Sequence, residues 1–137
     1  ESLGNVRLFL RAAQEVSIRM FLETERTAFR GLADPLDVLR AYNARLDARG
    51  VLDARDIQYR RTREGLELSV GKTCPYRTTC TWIHEDGGVI PCFRAIAMGE
   101  VLRIVSHQGH DASLLSFGSP CRLSFVPSQG EALDDGN

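Results

Sequence analysis

The sequence predicts an α+β domain: a mostly antiparallel four-stranded sheet with helices packed on one face, in the order ααββαββ. Three observations carry that prediction. Two amphipathic stretches open the chain, at 3–29 and 35–50. Two pairs of alternating stretches follow, 54–61 with 66–70 and 112–117 with 121–126, each pair joined by a short turn-forming segment. One more helical pattern stands between the pairs, from Pro91 to about Val105.

The first stretch places Val6, Phe9, Leu10, Ala13, Val16, Met20 and Leu22 on a broad apolar stripe, with Arg7, Arg11, Glu15, Arg19, Glu23 and Arg26 opposite. Gly31 is a fitting stop. Asp34 followed by Pro35 is an N-cap with proline at the first helical position, and Leu36, Val38, Leu39, Tyr42 and Leu46 make the second helix, ending at Gly50. Ile57 and Tyr59 alternate in the first strand and LELSV alternates in the second, with Glu64-Gly65 at the turn between. Residues 71–91 are expected to be irregular, given Gly71, Pro75, Gly87, Gly88 and Pro91. Gly118-Ser119-Pro120 turns the last strand pair. The domain is expected to span 1–127, with 128–137 a frayed acidic tail.

Composition narrows the class. The 137 residues are 43% hydrophobic and 26% charged, close to the globular average. Seventeen basic against 18 acidic residues leave a net charge of -1, which argues against direct nucleic-acid binding by bulk charge. No apolar run approaches the roughly 20 residues of a spanning helix, so no membrane partner is expected. The chain starts at Glu1 with no basic-then-apolar leader, which predicts a cytoplasmic protein.

Chemistry concentrates in the second half, which holds Cys74, Cys80, Cys92 and Cys121, four cysteines within 48 residues. Thiolates suit zinc, which takes four tetrahedral ligands, and an irregular segment gains most from a metal clip. The same ligands would accept an iron–sulfur cluster. The plainer alternative is that some are small buried residues, Cys121 first among them because it lies in a strand pattern. His84, in the cysteine-rich stretch, and His110, close to His107 and Asp111, are additional candidate ligands. A polar turn capping a helix end is the simpler explanation of the His107–Asp111 group. The Arg60-Arg61-Arg63 cluster reads either as a site for an acidic partner or as a charged strand edge. No Gly-rich phosphate loop, GxSxG or HExxH is present.

Gly88 and Cys92 open a helix, Ala95, Ala97 and Gly99 lie along it, and Gly118 precedes Cys121-Arg122-Leu123-Ser124-Phe125. With this pattern the stretch 88–127 resembles the four-vinyl-reductase domain family, small-molecule-binding domains whose fold is shared with subunits of the TRAPP vesicle-tethering complex. The preceding order, long helix, shorter helix, hairpin, is similar too. The resemblance implies a ligand-binding or sensing domain, in some members a module of phenol-sensing transcription activators. In those sensors zinc is held by the helix-opening cysteine, a Glu and a Cys on the next strand, and the cysteine before Arg. Cys92 and Cys121 match the first and last. His110-Asp111-Ala112-Ser113-Leu114 stands where the middle pair would be, which leaves Cys74 and Cys80, or His110 or Asp111, to complete a set.

Two expectations for function follow. The first is a domain that binds a small apolar or aromatic ligand, with a cysteine-bound zinc on Cys74, Cys80, Cys92 and Cys121. The second is a cysteine-thiolate enzyme or a redox sensor built on thiols or an iron–sulfur cluster, with Cys80 or Cys92 reactive. A homodimer through the first helix is a further expected partner.

Overall fold

Helix α1 (Ser2–Thr24) opens the fold and packs on α4 (Phe93–Val101). The structure, a computed structural model, describes residues 2–129. Ile18 and Leu22, one turn apart, sink into the core. Beyond the helix, the Glu25 carboxylate bridges Arg45 (2.8 Å) and Arg49 (2.6 Å), which ties the end of α1 to α2 (Pro35–Ala48). A 3-10 turn at Arg26–Phe29 carries Phe29 into the core, and Gly31, at φ 81°, reverses the chain.

Asp34 caps α2 as its sequence position requires. Its Oδ2 accepts from the backbone N–H groups of Leu36 (3.1 Å) and Asp37 (3.3 Å), and Pro35 fills the first helical position. Val38, Leu39 and Tyr42 then face the core.

The sheet is antiparallel throughout, in the order β1-β2-β4-β3. Its strands are β1 (Ile57–Arg61), β2 (Leu66–Val70), β3 (His110–Ser116) and β4 (Cys121–Pro127). Gly65 passes so close to the Phe125 carbonyl that a side chain there would collide with backbone. Ile57, Leu66, Leu68, Val70, Leu123 and Phe125 cover the inner face beneath the helices. The outer face is charged. Glu67 sits between Arg60 (2.6 Å) and Arg122 (2.9 Å) there, whereas Arg61, opposite Leu66 on the helix side at the end of β1, pairs with Asp34 (2.7 Å). Arg60 and Arg61 thus have structural partners in the sheet and at the α2 cap, while Arg63 is exposed.

The α+β class and the four-stranded antiparallel sheet are as expected. The segment 71–91 is not wholly irregular, however: residues Arg77–Glu85 form helix α3, so the order is ααββααββ. Thr78, Thr79 and Thr81 give this nine-residue helix poor intrinsic propensity, and its length is short for a periodic pattern to show. Packing of the buried Cys80 side supplies what propensity lacks. Helix α4 starts at Phe93, later than Pro91, and its last turn widens into a π-turn at Leu102–Ser106. Strand β3 starts at His110, with an irregular register between Leu114 and Ser116. Ser128 is held by the Gly109 carbonyl (2.8 Å) and the Asp111 carboxylate (3.0 Å), and the rest of the expected tail, 130–137, lies outside the described residues. Among the described residues no helix is long and apolar enough to cross a membrane.

Candidate functional site

All four cysteines meet at one end of the sheet. Strand β2 ends at Val70, which pairs with Cys121 at the start of β4. The chain leaving Val70 turns at Gly71 and brings Cys74 over that end. Helix α3 supplies Cys80, and Cys92 stands as the N-cap residue of α4. Four separate segments therefore deliver a thiol each to one cavity of about 20 Å³, walled by Tyr76, Phe93, Phe117 and Leu123 among others. That volume is room for one water-sized object.

The backbone at Cys92 is unusual. Its φ of 50° and ψ of 83° are left-handed, a region that costs a residue with a Cβ about 1–2 kcal/mol. The Ala95 backbone N–H, in the first turn of α4, points to its thiol and partly offsets the effect of burial. Strain of this kind at a cavity-lining residue fits a positional role for its thiol.

Burial decides the protonation of the thiols. It pushes Cys92 up to about 11 and raises Cys74 and Cys80 above the ordinary thiol value. The neighbouring thiols push the same way, while the charges of Arg94 and Arg77 partly offset the effect at Cys74.

Those two arginines are part of the same wall. Arg77 donates from Nη1 to the Gly118 carbonyl, reaches Cys121 Sγ at 3.7 Å and lies over the Phe117 ring at 5.2 Å. Arg94 is only 3% exposed. Its Nη2 donates to Asn43 Oδ1, its guanidinium lies 5.5 Å from the Tyr42 ring, and its Nε has no partner. Neither arginine pairs with a carboxylate among the described residues. A buried guanidinium without a counter-ion is costly by several kcal/mol, so negative charge in this cavity would be stabilised.

Beside the cavity lies an open groove of about 440 Å³, between the segment 84–91 and strand β3. Ile90, Leu114 and Phe117 belong to both. Val89 and Leu115 give its mouth an apolar rim, and His84 lies 4.9 Å from the Phe117 ring.

The expected ligands separate cleanly. Cys74, Cys80, Cys92 and Cys121 converge. His84 lines the groove and not the thiol cavity. His110 pairs with Pro127 at the other end of β4 from Cys121, roughly 20 Å away at about 3.3 Å per strand residue. Burial pushes its pKa below the usual histidine value, and Nδ1 lies 3.0 Å from the Gln108 carbonyl. His107 is exposed in a left-handed turn after the π-turn. Arg77 and Arg94 were not expected at the site. The signal for Arg94 is a charged residue inside the apolar run Phe93–Met98, two positions after Cys92.

The donor set fits zinc in kind and number, and the cavity fits a single ion in size. The thiols are not drawn into a closed sphere: among the described residues no three Cys, His, Asp or Glu side chains stand close enough together to hold a metal. Compared with protein-family models, curated proteins and solved structures, the chain matches none.

Proposed function

We propose that this is a small-molecule-binding domain whose ligand groove is backed by a zinc ion on Cys74, Cys80, Cys92 and Cys121. The observation that carries this is the convergence of every cysteine in the chain, from four segments, on one ion-sized cavity. Charge supports it: zinc on four thiolates carries two net negative charges, which Arg77 and Arg94 match. Bound zinc would supply the clip that joins the 71–92 segment to the sheet, and the chain's own residues do the rest. Arg77 and Arg94 favour the thiolate forms, and Tyr76, Phe93 and Phe117 keep water from the sulfurs.

The adjoining groove supports the ligand. Its volume lies within the range of small-molecule sites, roughly 300–1,000 Å³, and its lining is partly apolar. An apolar or aromatic molecule there would touch Ile90, Leu114 and Phe117, side chains that also wall the thiols. Ligand binding and the metal clip would then stabilise one another. The resemblance of 88–127 to four-vinyl-reductase domains supports the same role, including service as a module of a transcriptional regulator.

The thiolate-enzyme and redox alternatives have weaker support. An activated thiol is exposed and acidic, whereas burial raises Cys74, Cys80 and Cys92. A cavity of about 20 Å³ suits one ion better than a cluster of irons and sulfides.

Cobalt substitution tests the proposal. Anaerobic protein titrated with Co²⁺ should develop thiolate-to-cobalt charge-transfer bands at one equivalent, and zinc should abolish them. The zinc-loaded protein should then melt higher with naphthols or medium-chain fatty acids. Absence of the bands would overturn the metal centre, and no shift across the panel would overturn the ligand groove.

A further inference from the structure

Helix α1 is apolar on two opposite sides. One side buries Ile18 and Leu22 in the domain. On the other, Phe9 is 70%, Val16 62% and Met20 67% exposed, with Ala13 exposed between them. At about 100° per residue these four positions centre directly opposite Ile18. Their steps are four, three and four residues, the spacing that keeps a seam facing a partner helix. A solvated helix face would carry charge here, as α2 and the outer sheet face do.

We infer that this seam is a dimer interface, in which α1 packs antiparallel against α1 of a second copy. The seam is self-complementary, as a two-fold interface must be. With the axis between Gln14 and Glu15, Phe9 faces the partner's Met20 and Ala13 faces the partner's Val16. Ring then meets thioether and a small residue meets a branched one. The parallel alternative would set Glu23, next in the same spacing, against the partner's Glu23, two like charges at a seam position. Antiparallel pairing avoids this. Area sets the strength of the pairing: Phe9, Ala13, Val16 and Met20 together expose on the order of 400 Å² per copy, so the seam itself would bury about 800 Å², the size of a weak interface. Dimerisation should therefore be modest in affinity, in the micromolar range.

Sedimentation equilibrium of the full chain at about 1 to 200 µM tests this, against Val16→Glu and Met20→Glu variants. Both positions face solvent in the monomer, so the variants should fold with unchanged circular dichroism. The wild type should be a dimer that both variants convert to monomer. A wild type monomeric throughout, or a dimer untouched by either variant, would overturn the inference. A benzophenone side chain at position 9 reports the direction. Cross-linking to the peptide that contains the partner's Met20 supports the antiparallel arrangement, and cross-linking to the partner's own position 9 would overturn it.

Discussion

Arg94 donates from Nη2 to the Oδ1 of Asn43, a residue 51 positions earlier, and both side chains are buried. Asn43 in turn donates to Tyr59 Oη at 3.0 Å, so a polar chain runs from β1 through α2 to α4. The chain ends in a positive charge at the thiol cavity, with the Arg94 Nε unpartnered. Asn43 fixes the guanidinium, and in the proposed zinc site the metal-bound thiolates would be its counter-charge.

Replacing this charge should therefore act on the metal more than on the fold. Arg94→Met should weaken zinc binding about 10–100-fold, the usual cost of losing a group that supports the ligands. The metal-free protein loses one buried charge and one hydrogen bond, opposing effects that leave its stability within about 2 kcal/mol of the wild type. Competition with a zinc chelator, run beside urea unfolding of the metal-free form, separates the two.

The Cys92 thiol sets a pH signature. Its folded-state value of about 11 lies above the ordinary 9.0, so the unfolded state releases this proton first as pH rises. The Cys92 contribution to metal-free stability should be level below pH 9 and fall as pH climbs towards 11. Zinc affinity should move the other way below pH 9, rising with pH because the thiols must lose protons to bind. Thermal melts with and without zinc across this range read both signs.

Single Cys→Ser substitutions distinguish ligands from core. Each of Cys74, Cys80, Cys92 and Cys121 should lower zinc affinity by at least about tenfold when changed. In metal-free protein the same changes should cost only about 1–3 kcal/mol, the burden of a buried hydroxyl. Cys121 is the sharpest case, since its strand position alone explains its partial burial.

The α2 cap gives a control remote from the thiols. Asp34→Ala should destabilise the protein by about 0.5–2 kcal/mol without changing zinc affinity. The Arg61 hydrogen bond chiefly holds the Asp34 carboxyl below its ordinary 3.8. Its contribution is therefore present above that value and lost as pH falls through the lowered one. The acid limb of an unfolding profile should flatten in the variant.

Legibility in the sequence followed local physics. Asp34-Pro35, the LELSV alternation and the Gly118-Ser119-Pro120 turn each have a local cause, and the structure places them as expected. Helix α3 lacks one: its threonines disfavour a helix, and Cys80 is its one buried residue. The thiol convergence is also non-local. Spacings of 5, 11 and 28 residues carry no ligand signature, and it takes the Val70–Cys121 pairing and two helix ends to close them. Arg94 is not legible as a site residue because a charged residue in an apolar helix acquires meaning only once Asn43 and the cavity are placed beside it.

The most direct measurement is elemental analysis of freshly purified anaerobic protein, with a count of accessible thiols before and after chelation. A zinc clip on these cysteines gives one zinc per chain, with all four thiols protected until the metal is removed. Absence of metal from protein purified with zinc present, with four thiols reacting at once, would contradict it.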